Sequence, residues 1–213
     1  MEKGNYSNII NILMSIIQDE ELADIVFVSG GIVPWLVSKK DSKRNHSDID
    51  LLVLQENMLK VRKFLRKYNL YDASLDSLNY EDAEMVDYGV DTYIRDIPVG
   101  FYPYEQISDE LIVQRSFSST DVSGRKDLKV KEIPNMKVTD YLAKTTLPNG
   151  SVIGISSLEV VKVTKEKAGR EKDIYDIKEI NRIGYDADRY ERVKSSINNM
   201  KSTLDDRSLG RSR

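Results

Sequence analysis

The stretch HSDIDLLVL, residues 46–54, keeps two carboxylates, Asp48 and Asp50, one residue apart at the mouth of an apolar run. In an extended chain residues i and i+2 face one side, so both side chains project together. Carboxylates held that close repel each other, and a cation between them relieves the repulsion. Paired oxygens suit Mg²⁺ (or Mn²⁺), which keeps several waters and takes further oxygens from substrate phosphates. The same residues also fit a polar strand entrance in which Ser47 and Asp48 cap a turn.

Upstream, VFVSGG ends a short apolar strand on Ser29, Gly30 and Gly31. Paired glycines let backbone approach a phosphate closely, and the segment IVPWLVSK that follows reads as a helix aiming its N-terminus there. Neither G-x-x-x-x-G-K-[ST] nor G-x-G-x-x-G occurs in the chain. Strand, paired glycines, helix and then h-D-h-D-h-h-h resembles the DNA polymerase β-like nucleotidyltransferase superfamily. That resemblance implies that Ser29, Gly30 and Gly31 hold the triphosphate of an NTP. Asp48 and Asp50 would be the catalytic carboxylates and metal ligands of a two-metal clamp. Sixteen residues separate Gly31 from Asp48, which implies an insertion around KKDSKRN.

A second match lies downstream. SLEVVKVTKEKAGREKDIYDI, residues 157–177, resembles the L-E-x-x-x-x-x-K-x-x-x-G-R-x-K-D-x-x-D segment of minimal nucleotidyltransferases. These include AbiEii-like toxins of type IV toxin–antitoxin systems and antibiotic nucleotidyltransferases. By that resemblance Lys165 reaches the nucleotide phosphates, with Arg170, Lys172, Asp173 and Asp176 ordering the site. Read from the residues alone, three cations beside a helix start can form a triphosphate pocket. A charge run with Lys172 and Asp176 at i,i+4 also describes a solvated helix face.

The family places a third carboxylate on a later strand, as the base that takes the acceptor's proton. The best-aligned strand, IPVGFYPYE, has Gly100 at that place. Asp91 in GVDTYI is the next candidate and Glu105 the third; the remaining reading is a chain that lacks this base. His46 is the only histidine, which excludes a histidine-rich metal site. Trp35, Tyr102 and Tyr104 read as core or pocket wall.

Periodicity outlines the elements that must hold these residues. Ile9, Ile12, Leu13, Ile16 and Ile17 have the spacing of an amphipathic helix. IVFV (25–28) and IDLLVL read as buried strands, NMLKVRKFLRKY as a helix, and VDTYIR with IPVGFYPY as a strand pair turning at Arg95–Asp96. Past residue 107 the strand signals thin out, and SSTDVSGRKD (118–127) is the best linker candidate. A helix is expected over 139–146, and Ser156 with Glu159 form a capping box opening a helix through Lys167. After Gly169 the pattern resumes to Gly184. A last helix carries Tyr190, Val193, Ile197, Met200 and Leu204, and DRSLGRSR reads as a frayed tail. The expected architecture is α/β (α+β): a nucleotidyltransferase-fold catalytic domain over 1–117, with a mixed sheet and flanking helices. A mainly helical region over 118–213 would complete the nucleotide cleft.

Bulk properties narrow the function. The 213 residues suffice for a real core, and 40% hydrophobic with 31% charged residues is an ordinary globular balance. The chain has no cysteine, which excludes a disulfide framework, a thiolate zinc site and cysteine catalysis, and fits a reducing cytoplasm. No segment has the apolar length of a membrane span, and the first residues lack the pattern of a signal peptide. The net charge of −3 argues against a general nucleic-acid coat protein. The segment GRKDLKVKEIPNMK (124–137), with five cations, reads first as a solvated linker and second as a polyanion contact. The expectation is a metal-dependent nucleotidyltransferase moving a nucleotidyl group from an NTP to an acceptor hydroxyl on RNA or tRNA, with an antitoxin protein as partner. The alternatives are an aminoglycoside- or lincosamide-type antibiotic nucleotidyltransferase with an acidic cleft, and a nucleotide-binding scaffold without chemistry. No membrane partner is expected.

Overall fold

Along the second strand of the molecule, β2 (Ile49–Leu54), Ile49, Leu51 and Val53 enter one hydrophobic core and Leu52 enters another. Period-two alternation puts Asp50 on the side of Leu52. The computed structural model describes residues 6–42, 44–76, 88–119 and 126–204. Besides β2, the strands are β1 (Val26–Ser29), β3 (Val90–Ile94), β4 (Ile97–Ser108), β5 (Leu111–Ser119), β6 (Lys126–Pro134), β7 (Leu142–Thr146), β8 (Val152–Ser156) and β9 (Lys201–Leu204). They form one sheet in the order β7-β8-β1-β2-β4-β5-β6-β9, with β3 paired on β4 beside that path. The sheet is mixed: β1 is parallel to β8 and β2 to β4, while the other pairs are antiparallel.

The helices are α1 (Tyr6–Ile17), α2 (Val33–Ser38), α3 (Met58–Lys67), α4 (Val138–Tyr141), α5 (Leu158–Ala168), α6 (Asp173–Ile183) and α7 (Ala187–Asn198). The larger core takes all five predicted apolar residues of α1, with Met58, Val61, Phe64 and Leu65 of α3. The smaller core joins Leu52, Tyr104, Ile112 and Ile133 of the sheet to Val160 and Val163 of α5 and Val193 and Ile197 of α7. Each such side chain contributes about 1.5–3 kcal/mol on burial. The Asp50 face is thus only partly roofed, by α5 and α7.

The hairpin between β3 and β4 turns at Arg95 and Asp96, as expected. Both have positive φ (51° and 62°), the backbone of a tight turn whose twist matches its strands. Elsewhere the structure departs from the sequence reading. The helix expected over 139–146 stops at Tyr141, and Leu142–Thr146 forms β7 against β8. There the β-branched Thr145 and Thr146 favour a strand. The linker candidate 118–127 joins the antiparallel partners β5 and β6, so a boundary at 117/118 falls inside β5; residues 120–125 lie outside the described residues. The second half holds α4 to α7 and also contributes β6 to β9 to the same sheet. β5 and β6 hid their pairing, since β5 has an apolar run of only three residues, Leu111–Val113, before turning polar, and β6 has none. The last helix ends at Asn198, Lys201–Leu204 pairs as β9, and the expected tail lies outside the described residues. Ser157, one residue later than predicted, caps α5 by accepting from the Val160 amide at 3.3 Å. Glu159 accepts from the Asp186 amide at 2.9 Å instead of closing a capping box.

Candidate active site

β1 ends at Ser29, and Gly30–Ile32 makes a 3₁₀ turn before α2. Gly30 has φ +73°, and a Cβ there would lie 2.6 Å from Asp50 Oδ2. Glycine is needed on both counts. The cross-strand pairing of Ser29 with Asp50 brings the turn and the carboxylate together. Ser156 Oγ, at the end of β8, lies 2.9 Å from Ser29 Oγ and ties the neighbouring strand to the turn. Gly31 serves a different contact: a Cβ there would meet the Arg44 guanidinium and come within 2.8 Å of Asp176 Oδ2. Its smallness seats an ion pair.

Asp48 lies one residue before β2, exposed, with Ser47 Oγ donating to its Oδ1 at 3.1 Å. Asp50 is half-buried, and its pKa is pushed up to about 6, first by burial and then by the charges of Asp48 and Asp91. The third carboxylate follows from strand register. Asp50 on β2 pairs with Gly100 on β4, and Gly100 pairs with Asp91 on β3. One row across three strands therefore reads Asp50, Gly100, Asp91. The glycine leaves room that Tyr102 occupies, its ring folded over Gly100. The Tyr102 hydroxyl donates to Asp91; burial, then Asp91 and Asp50, raise its pKa and keep it protonated. Glu105 falls out as a candidate: its carboxylate pairs with Arg115 at 2.9 Å, one position out of step with Gly100, Tyr102 and Tyr104.

The downstream motif is built differently from expectation. Lys165 is 5% exposed, with Nζ at 2.8 Å from both Asp173 and Asp176. Asp176, fully buried, also accepts from Arg44 (3.0 and 2.6 Å) and from Trp35 Nε1 (3.0 Å). Burial opposes its ionisation, but the bonds from Arg44, Lys165 and Trp35 prevail and hold its pKa low. Asp173 is likewise held low by Arg170 and Lys165 against burial. Arg170 is tethered to Asp173 at 2.8 Å while its side chain stays 57% exposed, and Lys172 is exposed. Asp173 and Asp176 thus hold Lys165 in place, and the i,i+4 reading of Lys172 with Asp176 gives way to four donor atoms on Trp35, Arg44 and Lys165. His46, buried nearby, is pushed down to about 4 by burial and by Arg44, so it is neutral at pH 7 and bonds Ser42 at 2.8 Å.

Three cavities meet at Asp50. One of about 320 Å³ runs from Ser29 and Gly30 to Lys165, Lys167 and Arg170 of the α5 end. No residue of α2 lines it, so the glycine turn borders this space and the helix does not. A second, about 590 Å³, reaches Lys129 and Lys131 on β6, and Lys131 lines the first as well. A third, about 150 Å³, holds Asp48, Asp91 and Tyr102. The two halves of the chain therefore share one cleft. Among the described residues no three His, Asp or Glu side chains gather into a ready-made metal cage. The pair Asp48–Asp50 still fits Mg²⁺, which draws its remaining ligands from water and substrate phosphates; burial, then the like charges of Asp48 and Asp91, raise the Asp50 pKa, and a cation would relieve that repulsion. Sequence reading missed Arg44 and the Tyr102–Asp91 contact. Lys129 and Lys131 belong to the cationic segment 124–137, which reads first as a solvated linker and second as a polyanion contact; Lys126–Pro134 of it forms β6.

No family model matches the chain, and no curated protein matches it by sequence. Solved structures do. The lincosamide antibiotic adenylyltransferase LnuA, lincomycin-bound, superposes with a TM-score of 0.54 at 17% identity, over 86% of this chain and 100% of that one. The solution structure of the antibiotic-resistance factor ANT(2'')-Ia gives 0.56 at 13% identity, over 91% and 92%. The complex of ANT(2'')-Ia with adenylyl-2''-tobramycin gives 0.53 at 15%, over 88% and 95%. Sheet order, glycine turn and carboxylate row stand in a chain whose fold is that of the nucleotidyltransferases.

Proposed function

We propose that the protein is a Mg²⁺-dependent nucleotidyltransferase, moving a nucleotidyl group from an NTP to an acceptor hydroxyl with release of pyrophosphate. The observation that carries this is the Asp50–Gly100–Asp91 row beside the Gly30 turn, opening on one cleft. Asp48 and Asp50 hold the metal, which when bound activates the acceptor oxygen and steadies the leaving group. Ser29 and Gly30 line the phosphate side. Asp91 takes the acceptor's proton, oriented by the Tyr102 hydroxyl. The strand shift from Gly100 to Asp91 supplies the base whose absence would have favoured a scaffold without chemistry. Arg170 and Lys172 border the nucleotide, whereas Lys165, Asp173 and Asp176 act by fixing the wall. The division at 117/118 survives only as a functional one, catalytic carboxylates before it and the cleft's second wall after it.

The named neighbours carry lincomycin and an adenylylated tobramycin, which supports a small-molecule acceptor over the RNA or tRNA end and the antitoxin partner. A cytoplasmic location fits the cysteine-free sequence and a described chain without a helix long and apolar enough to cross a membrane. The test is thermal stabilisation by Mg²⁺–NTP, which reads ligand linkage to the native state. Wild type should gain it, and Asp48→Asn and Asp50→Asn should lose it. Asp91→Asn should keep it while turnover falls about 10²–10⁴-fold. An Asp50→Asn protein that responds to Mg²⁺–NTP as wild type does would refute the assignment.

A further inference from the structure

The cavity that leaves Asp50 along β5 and β6 ends on two lysines. Lys129 and Lys131, at i and i+2, face one side of β6, opposite Ser116 and Gln114 of β5. The other cations that line this cavity and the one beside α5 are engaged. Lys165 is matched by Asp173 and Asp176, Arg170 by Asp173, Arg115 by Glu105, and Lys167 donates to the Ile197 carbonyl. Among the described residues Lys129 and Lys131 have no ion-pair partner. Burial, and then the charge of Lys129, lower the pKa of Lys131. Two half-buried cations side by side repel, and an anion between them removes that cost. Of the carboxylates, Asp50 alone lines this cavity and the one beside α5. An amine-rich acceptor entering there would meet lysines instead of carboxylates.

We infer that the acceptor carries a phosphate group, held by Lys129 and Lys131 while its hydroxyl lies at the Asp50–Asp91 row; this rests on the nucleotidyl-transfer reading. Asp50 and Lys131 line the same two cavities, so one bound acceptor can span the carboxylate row and the lysines. A phosphate monoester on a small molecule and a phosphodiester near a nucleic-acid end share this chemistry.

The experiment saturates the full chain with Mg²⁺ and the tightest-binding α,β-methylene NTP, then titrates adenosine 5′-phosphate, the oligoribonucleotide r(AAA), phosphate-free adenosine, and tobramycin. At least one phosphorylated probe should bind better than adenosine, the monoester or the trinucleotide identifying the source. Lys129→Gln and Lys131→Gln should each weaken that binding about tenfold, as loss of one charge-assisted contact does, and Lys129→Gln, whose lysine lies outside the cavity of the Gly30 turn, should leave NTP affinity unchanged. Lys129→Arg and Lys131→Arg should restore it. Wild-type phosphate affinity in both Gln variants overturns the inference, as does tobramycin binding in preference to both phosphorylated probes. So does a loss of NTP affinity in their place, since the lysines would then serve the triphosphate. A protein that binds no Mg²⁺–NTP yet takes the phosphorylated probe on these lysines refutes the nucleotidyl-transfer reading and keeps the anion site.

Discussion

Two groups of carboxylates border the same cleft and are treated in opposite ways. Asp173 and Asp176 are buried and matched, receiving Lys165, Arg170, Arg44 and Trp35. Asp48, Asp50 and Asp91 line one small cavity, and burial, then the charges of Asp48 and Asp91, raise the Asp50 pKa. The matched group ties α2, α5, α6 and the loop before β2 together, so its charges are part of the fold. Asp48 and Asp50, in contrast, repel each other, a cost that a cation between them would relieve. Charge alone does not mark a functional site; charge without a counter-ion, held rigid beside a cavity, is the sharper marker.

Removing Asp176 should show the largest effect. Asp176→Ala leaves Lys165 and Arg44 facing a buried vacancy, and breaking one side of such a pair costs about 3–5 kcal/mol. Denaturant midpoints measure it. Because the Asp176 pKa is held low, wild type has this stability above the unfolded carboxylate value and loses it as pH falls through the folded one. The variant's deficit should therefore shrink in acid. An Asp176→Ala protein as stable as wild type would place the cluster at the surface, contrary to its burial.

Asp50 should respond with the opposite sign. Its folded pKa of about 6 lies above the ordinary carboxylate value of 3.8, so the native state holds the proton more tightly than the unfolded chain. Stability then falls as pH rises between those values, and the cost is fully present above the upper one. Asp50→Asn should be more stable than wild type at pH 7 by about 1–3 kcal/mol. The gain should vanish near pH 4, the unfolded carboxylate range, and Mg²⁺–NTP should reverse the ranking at neutral pH. Melting temperatures across that interval decide it; a variant less stable than wild type at pH 7 would make Asp50 a structural residue.

How much of this was legible in the sequence depended on distance along the chain. The D-x-D pair, the glycine turn and the Arg95–Asp96 hairpin are local, and each was readable from a few neighbouring residues. Asp91 could be proposed from its apolar flanks, but its place beside Asp50 rests on Gly100 pairing with both, a register between three strands. The Asp176 cluster was misread as solvated or nucleotide-facing because Arg44 and Trp35, which bury it, lie more than 130 residues away. Likewise β5 is apolar only over Leu111–Val113 and β6 has no apolar run, so their pairing with each other and with β4 and β9 is what makes them strands.

Arg170 gives the smallest effect and draws the line between the two groups most finely. It bonds Asp173 as the matched residues do, yet more than half of its side chain is open to solvent and it lines the cavity below Gly30. An exposed ion pair contributes only about 0–1 kcal/mol, and Asp173 keeps Lys165 as a buried partner when the arginine is removed. Arg170→Ala should therefore leave the denaturant midpoint nearly unchanged. If the guanidinium also reaches the nucleotide, the same substitution should weaken Mg²⁺–NTP binding about tenfold, the scale of one charge-assisted bond to phosphate. Isothermal titration beside a denaturation curve separates the roles. A stable variant with weakened binding makes Arg170 the point where the structural cluster meets the ligand, whereas a destabilised variant with intact binding assigns it wholly to the fold.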